Sequence, residues 1–200
     1  RGPGATHASI GIHAAHQAST PMIMLVGQVD RDHTDREAFQ EVDYRRFFGG
    51  MTKWTSQLDW PERIPEQMAR AFQTAVSGRP GPIVLALPED MQRIEVSVAD
   101  TAPYATVRAH PGANDLARMA EMVAAAERPM LVVGGGGWSP EASTDIAAFA
   151  QAFDLPLICT FRRQDIVDNA HPCYAGDLTT ATNPALLERV KGADLLLVVG

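Results

Sequence analysis

Three groups of side chains in this 200-residue chain have types and spacings that could do chemistry. The first is Glu37-Ala38-Phe39-Gln40-Glu41-Val42-Asp43, which follows an apolar run and a polar loop. A glutamine there can both donate to and accept from a ligand at a sheet edge. The plain structural reading is an amphipathic turn with Phe39 buried and Gln40 solvated. The second is Gly134-Gly135-Gly136-Gly137, followed by Ser139-Pro140 and, after the next apolar run, by Arg162-Arg163. Glycines between a strand and a helix let backbone approach a phosphate. The match to G-x-G-x-x-G is partial, because Ser139 holds the third place, and arginines stand where a nicotinamide site wants an acid. A permissive turn that binds nothing is the equal alternative. The third is Arg79 in Ser77-Gly78-Arg79-Pro80-Gly81-Pro82. An always-charged fork at a rigid corner suits a phosphate or carboxylate.

Other chemistry finds less support. His7, His13 and His16 lie near one helix, but only two share i, i+3 spacing, and a metal site wants three or four ligands. No metal site is expected. Lys53-Trp54 offers a cation beside an aromatic wall, or a solvated lysine beside a packed tryptophan. Serine-elbow, Walker and Cys–His nucleophile patterns are absent.

These groups need elements to hold them. Pro21–Val29 and Ile83–Leu87 are apolar runs that read as buried strands, with a short strand in 51–58. Thr6–Gln17 reads as a small-residue helix. Within Pro61–Ser77, Ile64, Met68, Ala71, Phe72, Ala75 and Val76 repeat on one helical face. Gly78 then supplies the left-handed residue that stops the helix, and the prolines force extended backbone. Residues 96–113 lack period and read as a linker. A second alternation follows. It comprises a helix capped by Asn114, strand Pro129–Val133, a helix from Ser139-Pro140, strand Leu155–Phe161, helix Asn183–Lys191 and strand Asp194–Val199. The expected fold class is α/β, as two partial parallel-sheet units with right-handed crossovers.

Composition narrows the partners. With 46% hydrophobic residues the chain can build cores, and a formal net charge of −7 argues against nucleic acid or an anionic membrane. No apolar run reaches the length of a membrane span. Cys159 and Cys173 are too few for a disulfide framework, so a reducing cytoplasm is expected. Arg1-Gly2-Pro3-Gly4 reads as the loop before a helix, and Asp194–Gly200 as a strand whose following loop lies further on. The chain therefore reads as a segment of a longer protein.

In order, Gly2-Pro3-Gly4-Ala5-Thr6, Ser19-Thr20-Pro21, Gly27-Gln28-Val29, Ala38-Phe39-Gln40-Glu41, Thr52-Lys53, Ser77–Pro82 and Pro88-Glu89-Asp90 resemble thiamine-diphosphate-dependent enzymes, in the acetolactate synthase branch. The resemblance implies that 1–95 is the later part of a pyrimidine-binding domain. It makes 96–113 a linker and 114–200 the first part of a Rossmann-like central domain. It implies a decarboxylase or carboligase acting on a 2-keto acid, with thiamine diphosphate and Mg²⁺, in a homodimer or homotetramer. The family's catalytic glutamate lies upstream of Gly2 and its Gly-Asp-Gly metal motif lies in a third domain, so this segment alone is expected to be inactive. Gln40 and Phe39 correspond to active-site lining, and Lys53 to a substrate-channel lysine. Ser19, Arg79, Gly135, Thr160, Phe161 and Gly176 correspond to flavin contacts. Glu89 stands in place of a lysine, and Arg162-Arg163-Gln164 and Tyr174-Ala175-Gly176-Asp177 depart from the flavin-binding stretches, which leaves FAD open. A non-catalytic FAD- or ADP-binding module is the alternative.

Overall fold

Buried apolar runs become parallel strands covered on both faces, and the helices between them supply the covers. The computed structural model describes residues 1–107 and 109–200. Position 108, inside the expected linker, lies outside the described residues. The chain divides into two units, Arg1–Arg108 and Ala109–Gly200.

The first unit holds α1 (Gly2–Gln17), β1 (Met22–Gln28), α2 (Tyr44–Phe48), β2 (Trp54–Gln57), α3 (Ile64–Val76) and β3 (Pro82–Pro88). The strands are all parallel, in the order β1-β3-β2. Side chains alternate along the central strand β3. Val84 and Ala86 pack with Ala5 and Ile12 of α1 and with Tyr44 and Phe48 of α2. Ile83 and Leu85 pack on the other face with Ala71 and Ala75 of α3. The corner after α3 forms as the sequence predicts: Gly78 has φ +57° and the chain turns directly into β3. One expectation is corrected. Residues 2–4 are not a loop but the first turn of α1, because a proline there removes only an N–H that has no partner inside the helix.

The second unit holds α4 (Ala113–Ala125), β4 (Pro129–Val133), α5 (Pro140–Ala152), β5 (Leu157–Thr160), β6 (Tyr174–Leu178), α6 (Pro184–Lys191) and β7 (Leu195–Val199). The parallel order is β6-β5-β4-β7. Leu131, Val133, Leu157 and Cys159 pack against Ala150 of α5, while Met130, Val132 and Ile158 pack against Leu186 of α6. The Ser139 hydroxyl accepts from Ala142 N at the start of α5, as its sequence position predicts. At α4 the N-cap is Gly112 rather than Asn114. The expected apolar face of α4 is only half-covered at Met119 and Val123, and Leu116 is exposed.

Asp194, before β7, accepts from the backbone N–H groups of Glu127 (2.8 Å) and Arg128 (2.9 Å) before β4. The Glu127 N–H first, then that of Arg128, holds its carboxyl below the usual carboxylate range. The stabilisation is therefore present above the unfolded value of about 4 and is lost as pH falls through the lower folded value. Thermal melts of Asp194→Asn are expected to lose part of the wild-type's destabilisation below pH 4. Parallel pH profiles for the two proteins would contradict this.

Candidate functional site

In parallel α/β sheets, ligands gather where strands end. At that edge of the first unit, one side chain ties the three strands together. Arg31, just past β1, donates through Nε to Asp90 Oδ2 (2.6 Å) beyond β3 and through Nη1 to the carbonyl of Asp59 (2.5 Å) beyond β2. Its own N–H donates to Asp90 Oδ1 (2.9 Å). Burial opposes ionisation of Asp90, but the Arg31 N–H and guanidinium outweigh it and hold the carboxyl below its ordinary value.

Beneath this tie lies Gln28, the last residue of β1 and only 5% exposed. Its amide nitrogen donates to the Val42 carbonyl (2.8 Å), and its amide oxygen accepts from Val29 N (3.0 Å). Tyr44 is buried beside it and donates to the Gly27 carbonyl (3.1 Å). Burial pushes the Tyr44 phenol up, against a smaller opposing effect of Arg1. A polar cavity of about 240 Å³ opens here, with Gln28, Glu41, Tyr44, Ser56, Gln57 and Asp59 among its walls.

The segment that carries Phe39 and Gln40 arches over this edge. Asp35 (φ 62°), Glu37 (φ 54°) and Gln40 (φ 69°) are left-handed without being glycine. Each such residue costs on the order of 1–3 kcal/mol and persists only where its surroundings hold it. The N–H of Gly2, at the start of α1, donates to the Gln40 carbonyl (3.3 Å). A Cβ at Gly2 would stand 3.2 Å from that oxygen and 3.1 Å from Val42 Cγ2, so the helix approaches this closely because the residue is glycine. The plain reading of the motif is reversed. Phe39 is 85% exposed and Gln40 is half-buried. Among the described residues the Gln40 amide has no hydrogen-bond partner, so both of its polar ends remain available.

Lys53, Ser19 and Arg79 are not brought to this edge. They sit where the strands begin. Lys53 Nζ donates to the carbonyls of Thr74 and Ser77 at the end of α3, and burial pulls its ammonium below the usual lysine range. Ser19 (φ 56°) and Arg79 do meet. Arg79 Nε donates to Ser19 Oγ (2.8 Å), and Nη2 donates to the carbonyls of His16 (3.0 Å) and Gln17 (3.4 Å) that close α1. The fork thus satisfies a helix C-terminus, where a cation is favoured. Arg79→Ala is expected to cost about 1 kcal/mol, read as a fall of a few degrees in the melting of the first unit. An unchanged melt would show that water serves these carbonyls equally well.

In the second unit, Gly135, Thr160 and Phe161 share the edge where β4 and β5 end. Gly135 (φ 63°) has no room for a side chain, because a Cβ there would meet the Gly200 backbone. A Cβ on Gly134 would strike Thr160 Oγ1. Phe161 is exposed, with the Arg162 guanidinium 5.1 Å from its ring centre. Arg163 donates to the Gly135 carbonyl and pairs with Asp165 (3.0 Å), while Trp138 Nε1 donates to the Gly134 carbonyl (2.6 Å). Gly176 (φ 123°) stands apart from them. It lies inside β6, at the bulge where Leu157 pairs with Tyr174 but Ile158 pairs with Gly176, and a Cβ would come 3.1 Å from Leu186.

Sequence reasoning missed Gln28, Tyr44 and the Arg31–Asp90 tie as parts of the first edge. The available signal was a glutamine closing an apolar strand, since a buried amide must find partners. Asp30, Asp32 and His33 bring one ligand atom each within 4.8 Å of one another on the turn after β1. Two of the three are exposed, and they are fewer groups than the six or more ligands that oxygen-seeking cations take.

Comparison with known proteins gives one consistent result. Residues 1–47 match the family described as "Thiamine pyrophosphate enzyme, N-terminal TPP binding domain", and residues 116–200 match "Thiamine pyrophosphate enzyme, central domain". The acetolactate synthase isozyme 2 large subunit of Escherichia coli is 34% identical over 203 residues, covering 100% of this chain and 36% of that protein. The acetolactate synthase large subunit of Corynebacterium glutamicum is 30% identical over 204 residues, covering 100% of this chain and 32% of that protein. Among solved structures, benzoylformate decarboxylase from Polynucleobacter necessarius superposes with a TM-score of 0.88 at 27% identity, covering 100% of this chain and 38% of that one. The chain spans about a third of the length of these curated relatives.

Proposed function

The chain belongs to the thiamine pyrophosphate enzyme family, and from that premise we infer that it forms part of a thiamine-diphosphate-dependent decarboxylase or carboligase acting on a 2-keto acid. Residues 1–95 would be the pyrimidine-binding part, 96–113 the linker and 114–200 the start of the central domain. The observation that carries this reading is the arch over the first sheet. It presents a half-buried glutamine amide with no hydrogen-bond partner among the described residues, next to an exposed phenyl ring, at the edge where ligands bind such sheets.

That pair suits a thiamine-bound substrate. When bound, thiamine diphosphate supplies a carbon nucleophile that makes loss of carbon dioxide from a 2-keto acid feasible. Phe39 would shield the reacting centre from water, and charge interactions strengthen where water is excluded. The Gln40 amide would donate to a substrate oxygen as charge develops there, or accept from a hydroxyl. The Gly2 N–H and the Gln28–Val42 bond fix the backbone from which both side chains project. The fit extends to the reacting end of the cofactor. Arg1 and Arg31 near this edge are paired with Glu89 and Asp90, while Arg45 lines the cavity with no ion pair among the described residues. By the family resemblance, diphosphate and Mg²⁺ would be held by residues of the third domain.

Flavin takes no part in this reading. The Arg79 fork is engaged by Ser19 and the end of α1, and the Gly135 carbonyl is engaged by Arg163. The same contacts weigh against a nucleotide-binding module built on Arg163. Among the described residues no helix is long and apolar enough to cross a membrane. A cytoplasmic homodimer or homotetramer is the accompanying proposal, testable by light scattering.

Calorimetric titration of the full-length protein with thiamine diphosphate in the presence of Mg²⁺ tests the assignment. Saturable binding to one site per chain is expected. Binding of ADP or FAD without binding of thiamine diphosphate would favour the nucleotide module.

A further inference from the structure

An arch with three left-handed non-glycine residues does not hold its own shape, so some group in it must oppose the strain. The structure assigns that task to Glu41. Its Oε1 accepts from Asp35 N (2.8 Å) and its Oε2 from Ala38 N (3.2 Å). Its own N–H donates to the Ala38 carbonyl (2.9 Å). One half-buried carboxylate therefore closes the segment 35–41 on itself, with both oxygens engaged by backbone. Charged acceptors make the stronger hydrogen bonds to backbone N–H groups.

Among the described residues the arch has three other anchors, and none does this work. The Gln28 amide holds the Val42 carbonyl (2.8 Å), past the arch. Asp43 accepts from Arg46 N (3.1 Å) and fixes the start of α2, just past the arch. The Gly2 N–H holds the Gln40 carbonyl from outside. Among the described residues, only Glu41 ties the first left-handed residue, Asp35, to the residues around Phe39. Phe39 is almost fully exposed and no packing fixes its ring, so its place is set by the backbone that carries it.

We propose that Glu41 is a positioning residue, whose paired grip on the Asp35 and Ala38 amides sets the placement of Phe39 and Gln40 for the reaction. This rests on the reading of Gln40 and Phe39 as active-site groups given above. Small misplacements of such groups cost as much as about a hundredfold in rate. Glu41→Gln keeps one acceptor oxygen but turns an NH₂ toward a second N–H, so it should retain part of the effect, whereas Glu41→Ala should lose it all.

The test uses the full-length protein with thiamine diphosphate and Mg²⁺, and compares wild type, Glu41→Ala, Glu41→Gln and Gln40→Ala. Expected for Glu41→Ala are amide exchange at positions 35 and 38 faster by about tenfold or more and kcat lower by about tenfold or more. Its melting temperature should stay near that of wild type, and Glu41→Gln should lie between the two. Unchanged exchange at 35 and 38 overturns the grip. Faster exchange with full kcat, while Gln40→Ala is slow, overturns the positioning role. If Gln40→Ala and Glu41→Ala both keep full kcat, the reading of the site fails, and faster exchange would then mark Glu41 as a holder of the loop alone.

Discussion

On the proposed reading, Gln40→Ala in the full-length protein is expected to lower kcat for a 2-keto acid by about a hundredfold, with the fold intact. The size follows from what the amide would do, since removing one aligned donor from developing charge typically costs about 10²–10³ in rate. The fold should survive because alanine and glutamine, both non-glycine, bear similar strain at φ 69°. The backbone contacts that hold position 40 also involve its carbonyl rather than its side chain. The change therefore deletes an amide with no partner in the described protein and little else. Steady-state kinetics beside a thermal melt checks it. A variant with full kcat and an unchanged melt would remove Gln40 from the reaction.

Phe48→Ala is expected to have the largest effect on stability, a loss of about 3–5 kcal/mol. Phe48 is fully buried. Its ring lies 6.0 Å from that of Tyr44 and meets Phe47 edge-on at 4.7 Å. It shares a core with Val84 and Ala86 of the central strand and with Ile12 of α1. Against the total of about 5–15 kcal/mol that holds an ordinary domain together, this loss is large. It is also local, because each unit packs its own cores. Hydrogen exchange should accelerate more than a hundredfold in β1 and β3, while β4 and β5 keep their protection. Activity should fall too, since α2 anchors the far end of the arch. Equal acceleration in both units would show that their stabilities are coupled.

Much of this architecture could be read from residues whose local physics leaves few options. Gly78 between a periodic helix and two prolines permits little but a helix stop followed by a strand, and its φ of +57° agrees. Ser139-Pro140 combines a side-chain acceptor with a residue preset for a first helical turn, and α5 begins there. What escaped was decided by distant partners. β6 carries no apolar alternation, lies at a sheet edge and bulges at Gly176, so nothing in Tyr174–Leu178 announces a strand. The start of α1 is hidden by Pro3, which reads as a loop residue until the helix above it is known.

The candidate site divides in the same way. The motif around Phe39 and Gln40 was legible as a place for ligand chemistry, but which side chain is covered depends on Gly2 and α1, so the plain amphipathic reading put the wrong one inside. Arg79 was legible as a charge fixed at a corner. Its partners are carbonyls of another helix more than sixty residues away, which no local pattern contains. Lys53 was assigned by motif to a channel and stands at the end of α3, at the opposite edge from Gln40.

The most direct measurement is carbon dioxide release by the full-length protein from a panel of 2-keto acids, from small aliphatic to aryl, with and without thiamine diphosphate and Mg²⁺. Release from at least one of them that depends on both additions, and that falls about a hundredfold in Gln40→Ala, is the predicted result. No release from any of them by protein shown to bind thiamine diphosphate would contradict the account.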